Sequence, residues 1–234
     1  MAPSTGTAVI PPPLGDGLAR VHDALLDAVA AEDPFLTEVA GHLIKAGGKR
    51  QRPGFAMAAA LIGSPGAHAV SDDAMLGGVS CELVHLGSLY HDDVMDEATT
   101  RHFVDSVNAR WGNLQAILAG DYLLAKASEI AAGLGTEVAA LLAATIGRLC
   151  EGQVAELQDA FNVGRTEERY FRSIGGKTAA LFSTSCRIGA IVGGLDRDRI
   201  DALTTFGFEY GTAFQIVDDV LDVIASDEEL GKPS

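Results

Sequence analysis

Asp92-Asp93-Val94-Met95-Asp96, repeated in kind as Asp218-Asp219-Val220-Leu221-Asp222, decides what fold this chain needs. Each stretch carries carboxylates at i, i+1 and i+4 and lies inside an apolar run: Leu86, Leu89 and Tyr90 precede the first, Phe214, Ile216 and Val217 the second. On a helix, positions i and i+4 lie one above the other, so Asp92 shares a face with Asp96 and Asp218 with Asp222. Each helix thus presents a two-pronged oxygen clamp. Two such clamps brought together without counterions repel, by roughly 4 kcal/mol for one like-charge pair at about 4 Å and an effective dielectric of 20. A hard divalent cation relieves that repulsion. Magnesium suits the donors better than zinc, because it takes carboxylate and water oxygens and leaves positions open for phosphate. A lone cluster of this kind is more often a solvated face or a helix-start feature. The second copy, in equally apolar surroundings, shifts the balance toward a metal site.

The rest of the composition fits an all-α chain. Of 234 residues, 47% are hydrophobic and 6% aromatic, Ala, Leu and Gly abound, and no segment sustains a period of two. The net charge of −15 argues against nucleic acid or an anionic membrane as partner. It also sits badly with a phosphate ligand unless cations intervene: three magnesium ions would set six positive charges against the six clustered carboxylates. Cys81, Cys150 and Cys186 are odd in number and widely spaced, which reads as buried thiols of a reducing, cytoplasmic compartment. The amino terminus lacks a signal-peptide pattern, and charged or glycine residues interrupt the apolar segments before membrane length, so no integral membrane segment is expected.

Residues 1–15, with Pro11-Pro12-Pro13, read as a flexible or extended leader, and 16–234 as a single helical domain. Helices are expected over about 16–31, 34–45 and 53–63, the last opened by Pro53. Ser71-Asp72-Asp73 starts a long helix ending at the first acidic cluster, where the dipole makes bound cations welcome. A polar loop over 97–107 leads to a helix over 108–132. Thr136 caps another, Thr166 begins one broken around Gly175-Gly176, and Asp196 caps the last, which carries the second cluster to about Ser226.

Gly47-Gly48-Lys49-Arg50-Gln51-Arg52-Pro53 is a basic knot in an acidic chain, suited either to an anion at a helix start or to ordinary surface ion pairs. Gly176-Lys177-Thr178 is not a P-loop, since Phe171 stands where the earlier glycine is required and no strand precedes it. Lys177 reads as a phosphate-facing cation or a surface lysine. His85 and His91 flank the first cluster, and His85 is the better candidate for a substrate contact. No activated Ser or Cys nucleophile is visible. The chemistry indicated is metal-assisted departure of a phosphate leaving group.

Gly47 to Pro53, Asp92 to Arg101, Asn108, Trp111-Gly112-Asn113, Gly120-Asp121-Tyr122, Gly152-Gln153, Gly176-Lys177-Thr178 and Phe214-Gln215 with Asp218 to Asp222 together resemble the trans-type polyprenyl diphosphate synthases, from about residue 40 onward. The resemblance implies an all-α isoprenoid-synthase bundle around a central cavity. It implies magnesium-dependent condensation of isopentenyl diphosphate with an allylic diphosphate, in a homodimer. Asp92, Asp96 and Asp218 would hold magnesium, with Asp93, Lys177 and Asp219 also in the catalytic set, Arg101 and Lys177 helping with the allylic diphosphate, and Thr178 and Gln215 among the substrate-binding residues. Lys49, Arg52 and His85 would hold isopentenyl diphosphate. Gly87 and Ser88, small where short-chain members are bulky, imply a medium or long product. Lys232 is expected as a further ligand, and with the sequence stopping at Ser234 the bundle is expected to lack the family's last helices. The chain departs from the pattern at His102-Phe103, where a second arginine and a glycine are usual, and at Asp105, often Pro. Histidine cannot reproduce a two-pronged guanidinium contact. Two rivals share the architecture: a non-catalytic subunit of a synthase, and a class I terpene cyclase, which usually has an Asn-Ser/Thr-Glu motif in place of the second cluster.

Overall fold

The computed structural model describes residues 10–224. Helices account for most of it: α1 (Pro12–Ala28), α2 (Pro34–Ala40), α3 (His42–Ala46), α4 (Gln51–Gly63), α5 (Asp72–Met95), α6 (Val107–Trp111), α7 (Asn113–Gly133), α8 (Thr136–Gln158), α9 (Glu167–Ile174), α10 (Ala180–Val192) and α11 (Arg197–Ile224). A π-helical turn, Gly175–Ala179, joins α9 to α10.

Helix α5 is the axis of the bundle. Val79, Leu83, Val84, Leu86 and Tyr90 are fully or almost fully buried along it, and α7, α4, α10 and α1 pack around it. Its start follows from the sequence: the Ser71 side chain accepts from Ala74 N, and Asp72 and Asp73 occupy the positive end of the dipole. Its last turn carries the first acidic cluster, with Asp96 at the C-cap. Helix α11 runs against α10 and the π turn, and carries the second cluster near its end.

Several boundaries depart from the sequence reading for local reasons. Helix α1 begins at Pro12, inside the supposed leader, because proline is well suited to a first turn whose N–H groups have no partner. The helix expected over 34–45 divides at Gly41, where Tyr90 of α5 donates its hydroxyl to Val39 O (2.8 Å) and Ala40 O (3.0 Å). Gly112, at φ 94°, splits the next expected helix into α6 and α7. Thr166 and Asp196 cap as expected, accepting from Arg169 N and Arg199 N. Thr136 does not, since the N-cap position falls on Gly135. The loop over 97–107 contains a small hairpin, Thr100–Arg101 paired with Val104–Asp105. Its tip, His102 and Phe103, has left-handed backbone (φ 51° and 64°), the geometry of a two-residue turn that ordinarily selects glycine or asparagine.

Cys81 and Cys186 are buried thiols, but Cys150 is exposed on the outward face of α8. That helix is long and apolar enough by length and composition to cross a membrane, and most of its apolar stretch is not buried within this chain. Ala140, Ala143, Ala144 and Gly147 lie on its open side.

Candidate functional site

The first acidic pair sits at the C-terminal end of α5, where the unpaired carbonyls already favour a cation. Asp92 is half-buried and Asp96 exposed. Burial pushes the Asp92 carboxyl up, Lys177 pulls it down and the like charge of Asp96 pushes it up again. Asp93 turns the other way, into the protein, and is fully buried. Arg101 from the hairpin donates Nε (2.9 Å) and Nη2 (2.6 Å) to its Oδ1. Burial nevertheless pushes its carboxyl up, against the pull of Arg101, and Oδ2 has no hydrogen-bond partner. Asn108 of α6 donates to Asp93 O and Ala98 O, fixing the backbone beneath the pair (3.1 and 2.9 Å).

The second pair lies one helix turn after Gln215 on α11. Asp218 and Asp222 are half-buried at i and i+4. Asp219 is engaged at both oxygens: Tyr170 Oη donates to Oδ2 (2.6 Å) and Gln215 Nε2 to Oδ1 (2.8 Å). The Gln215 carbonyl in turn accepts from Thr178 Oγ1 at 2.6 Å.

The π turn addresses both pairs. Its Lys177 is the cation that acts most strongly on Asp92, while its Thr178 reaches Asp219 through Gln215. Two glycines make that position possible. A Cβ on Gly152 of α8 would come within 2.4 Å of Lys177 N, and one on Gly176 within 2.9 Å of Arg148 O. The close approach explains why Gly152 and Gly176 occur where they do. Lys177 itself is paired with Glu156, one turn after Gly152.

The basic knot lies between α3 and α4. Gly47 and Gly48 have positive φ, and Arg50 is left-handed at φ 47°. Arg50 donates Nη1 to the buried Glu82 (2.9 Å) and Nη2 to Ile44 O (2.8 Å). That leaves Lys49 exposed at the surface and Arg52 with its guanidinium 4.8 Å from the Phe182 ring centroid. Burial lowers the affinity of Arg52 for its proton, partly offset by Glu82, and its Nε has no hydrogen-bond partner. His85 is held well below the ordinary histidine range by burial, then by Arg52, His102, Arg101 and Arg50. These four cations and imidazoles therefore share one region with His85. His102 is lowered by partial burial, Arg101 and Arg50, against the pull of Glu82 and Asp93.

Gly87 lies against α7, where a Cβ would meet Gly120 O at 3.0 Å and Leu124 at 3.3 Å. A larger residue there must displace α7. Ser88 is half-buried and donates to His85 O at 2.8 Å. Lys232 lies outside the described residues. Glu156, Tyr170 and Glu82 were not among the residues singled out from sequence. Glu156 and Tyr170 lie 21 and 49 residues from their partners. Only the packing of α8 and α9 on the π turn and α11 joins them. A cleft of about 600 Å³ lies beside α8 and α9, lined in part by Cys150, Glu151, Arg169 and Arg172; the acidic pairs do not line it.

The donor set fits a hard divalent cation. It consists of carboxylates carrying like-charge repulsion, with no thiolate among them. Among the described residues no three His, Cys, Asp or Glu side chains converge as a complete ligand set. Two carboxylates per helix leave coordination positions for water and phosphate oxygens, as magnesium requires.

Residues 33–234 match the family model described as polyprenyl synthetase. The chain is 40% identical over 228 residues to a nonaprenyl diphosphate synthase of Mycobacterium tuberculosis, an alignment covering 97% of this chain and 67% of that protein. Its fold matches heptaprenyl diphosphate synthase from Staphylococcus aureus with a TM-score of 0.89 at 33% identity, over 94% of this chain and 69% of that one. It also matches a polyprenyl synthase from Caulobacter crescentus, solved with calcium and isoprenyl diphosphate, with a TM-score of 0.87 at 32% identity, over 93% and 66% of the respective chains.

Proposed function

This chain belongs to the polyprenyl synthetase family, and we propose that it condenses isopentenyl diphosphate head-to-tail with an allylic diphosphate to give a medium- or long-chain trans-polyprenyl diphosphate. The observation that carries the reading is the π turn, whose Lys177 acts on the first acidic pair while its Thr178 is tied to the second through Gln215. Asp92, Asp96 and Asp218 would hold magnesium, and the six clustered carboxylates would balance the charge of three ions. Bound magnesium supplies the positive charge that stabilises the departing diphosphate.

Lys177 meets the allylic diphosphate, exchanging Glu156 for phosphate oxygens. Lys49, Arg52 and His85 grip isopentenyl diphosphate, which Arg52 can do because Glu82 already occupies Arg50. When the allylic C–O bond breaks, its electron pair leaves with the diphosphate. The double bond of isopentenyl diphosphate then attacks the allylic cation, and the proton lost from the adjacent carbon passes to the released diphosphate. Gly87 is small because α7 packs on it, so the proposal of a longer product rests on the small side chain of Ser88, and the nonaprenyl and heptaprenyl synthases among the chain's relatives are in keeping with it. Ser88→Phe should shorten the product, read by chromatography of the dephosphorylated products.

The assembly proposed is a homodimer in the cytoplasm. Leu114 and Leu118 of α7 are 73% and 66% exposed. With the small-residue face of α8 they offer an apolar surface suited to a second copy. The free thiols suit a reducing compartment. A second reading, a non-catalytic subunit, draws support from the strained His102-Phe103 tip beside the basic region. Incubation with magnesium, isopentenyl diphosphate and allylic primers of several lengths separates the two. Elongated products support the synthase, and none with any primer rejects it in favour of the subunit.

A further inference from the structure

Asp219 has both carboxylate oxygens engaged by protein donors, Tyr170 on Oδ2 and Gln215 on Oδ1. The direction of each bond follows from the donor inventory. An ionised carboxylate only accepts, and Gln215 must turn its amide nitrogen to Asp219 because its carbonyl takes the Thr178 hydroxyl. The phenol is therefore the second donor. Its proton is firmly held: burial and the neighbouring Asp219 push Tyr170 up to about 12. The ring is braced from behind by Arg165, whose guanidinium stands 5.3 Å from its centroid. Arg169, one residue earlier, is anchored to Asp159 at 2.9 Å. Helix α9 otherwise touches α11 sparsely.

On α11, Asp219 lies about 100° around the axis from Asp218 and about 60° from Asp222, at the border of the face those two share. We propose that Tyr170 is a positioning residue for the second carboxylate pair: its hydroxyl holds Asp219 away from the metal-binding face and makes metal loading there depend on α9 being docked. The proposal rests on the synthase reading given above. Without the hydroxyl, one Asp219 oxygen loses its donor and the carboxylate can swing toward the pair, diverting the ion from the arrangement that meets diphosphate.

The test is Tyr170→Phe, which keeps the ring and its contact with Arg165. Melting temperature is followed as magnesium is titrated with inorganic diphosphate present. The magnesium concentration giving half the shift should rise about tenfold, the usual effect of losing an outer hydrogen bond at a metal site, while the melting temperature without magnesium stays near wild type. In turnover, kcat should fall and the KM for isopentenyl diphosphate should hold. Asp219→Asn combined with Tyr170→Phe should respond to magnesium no worse than Asp219→Asn alone, because the hydroxyl acts through that carboxylate. An unchanged or lower half-saturating magnesium concentration in Tyr170→Phe, with wild type responding normally, overturns the proposal alone. A wild-type protein indifferent to magnesium and diphosphate overturns it together with the synthase reading.

Discussion

The two acidic clusters are near-copies in sequence but not in how their second aspartate is held. Asp93 is fully buried and answered by a full positive charge, Arg101. Asp219 is half-buried and answered by two neutral donors, Tyr170 and Gln215. A buried ion pair is expensive to break from one side, because it strands the partner's charge, whereas removing a half-buried carboxylate from two neutral donors strands no charge. The first cluster is therefore built into the bundle. The second is adjustable, and what adjusts it comes from α9 and the π turn.

The largest effect expected is on the residues that face the metal in either cluster. Asp92→Asn and Asp218→Asn should each lower kcat/KM by about a thousandfold, measured as initial rates at saturating magnesium, since each removes charge placed where diphosphate departs. Equal losses support a shared site, and a loss in only one breaks the symmetry between the metal faces.

Next in size is the asymmetry of the second aspartates. Asp93→Asn should cost about 2 kcal/mol of stability by leaving Arg101 without its countercharge, and Asp219→Asn under about 1 kcal/mol. Denaturant unfolding without magnesium checks both; similar losses would mean that the two clusters are held alike.

The hairpin that carries Arg101 also carries His102. Partial burial, Arg101 and Arg50 keep its pKa below the ordinary value of 6.5, so it is neutral at pH 7.5 and gains charge only as pH falls through and below 6.5. The KM for isopentenyl diphosphate should therefore fall as pH drops from 6.5 toward 5, with little change between pH 8 and 7. In His102→Arg it should be about tenfold lower and less dependent on pH. A smaller effect concerns His85. Its folded pKa lies well below 6.5, so as pH drops below 6.5 the unfolded chain takes up a proton that the folded chain refuses, and stability falls. Thermal melts between pH 7 and 5.5 should show this loss, at most about 1.4 kcal/mol per pH unit, and His85→Asn should flatten it.

Much of this was legible in the chain. Ser71, Thr166 and Asp196 announced helix starts because side-chain capping is local chemistry, and the i, i+4 spacing of the acidic pairs set their shared faces. The hairpin at Thr100–Asp105 was not legible: strands of two residues show no periodicity, and its tip has His102 and Phe103 where a turn signal would be Asn or Gly. Cys150 looked buried because α8 is apolar nearly all round, and sequence does not say which side a neighbour covers. Glu156 and Tyr170 escaped for a related reason. Their roles depend on a π turn that shifts the register between α9 and α10, and on two glycines that let α8 touch it.

Calorimetric titration of magnesium into the protein with inorganic diphosphate, for wild type, Asp92→Asn and Asp218→Asn, tests most directly whether the two clusters act as one site. Diphosphate-dependent magnesium uptake in wild type, largely lost in both variants, is the expected result. Uptake that survives unchanged when either cluster is altered would contradict a shared site.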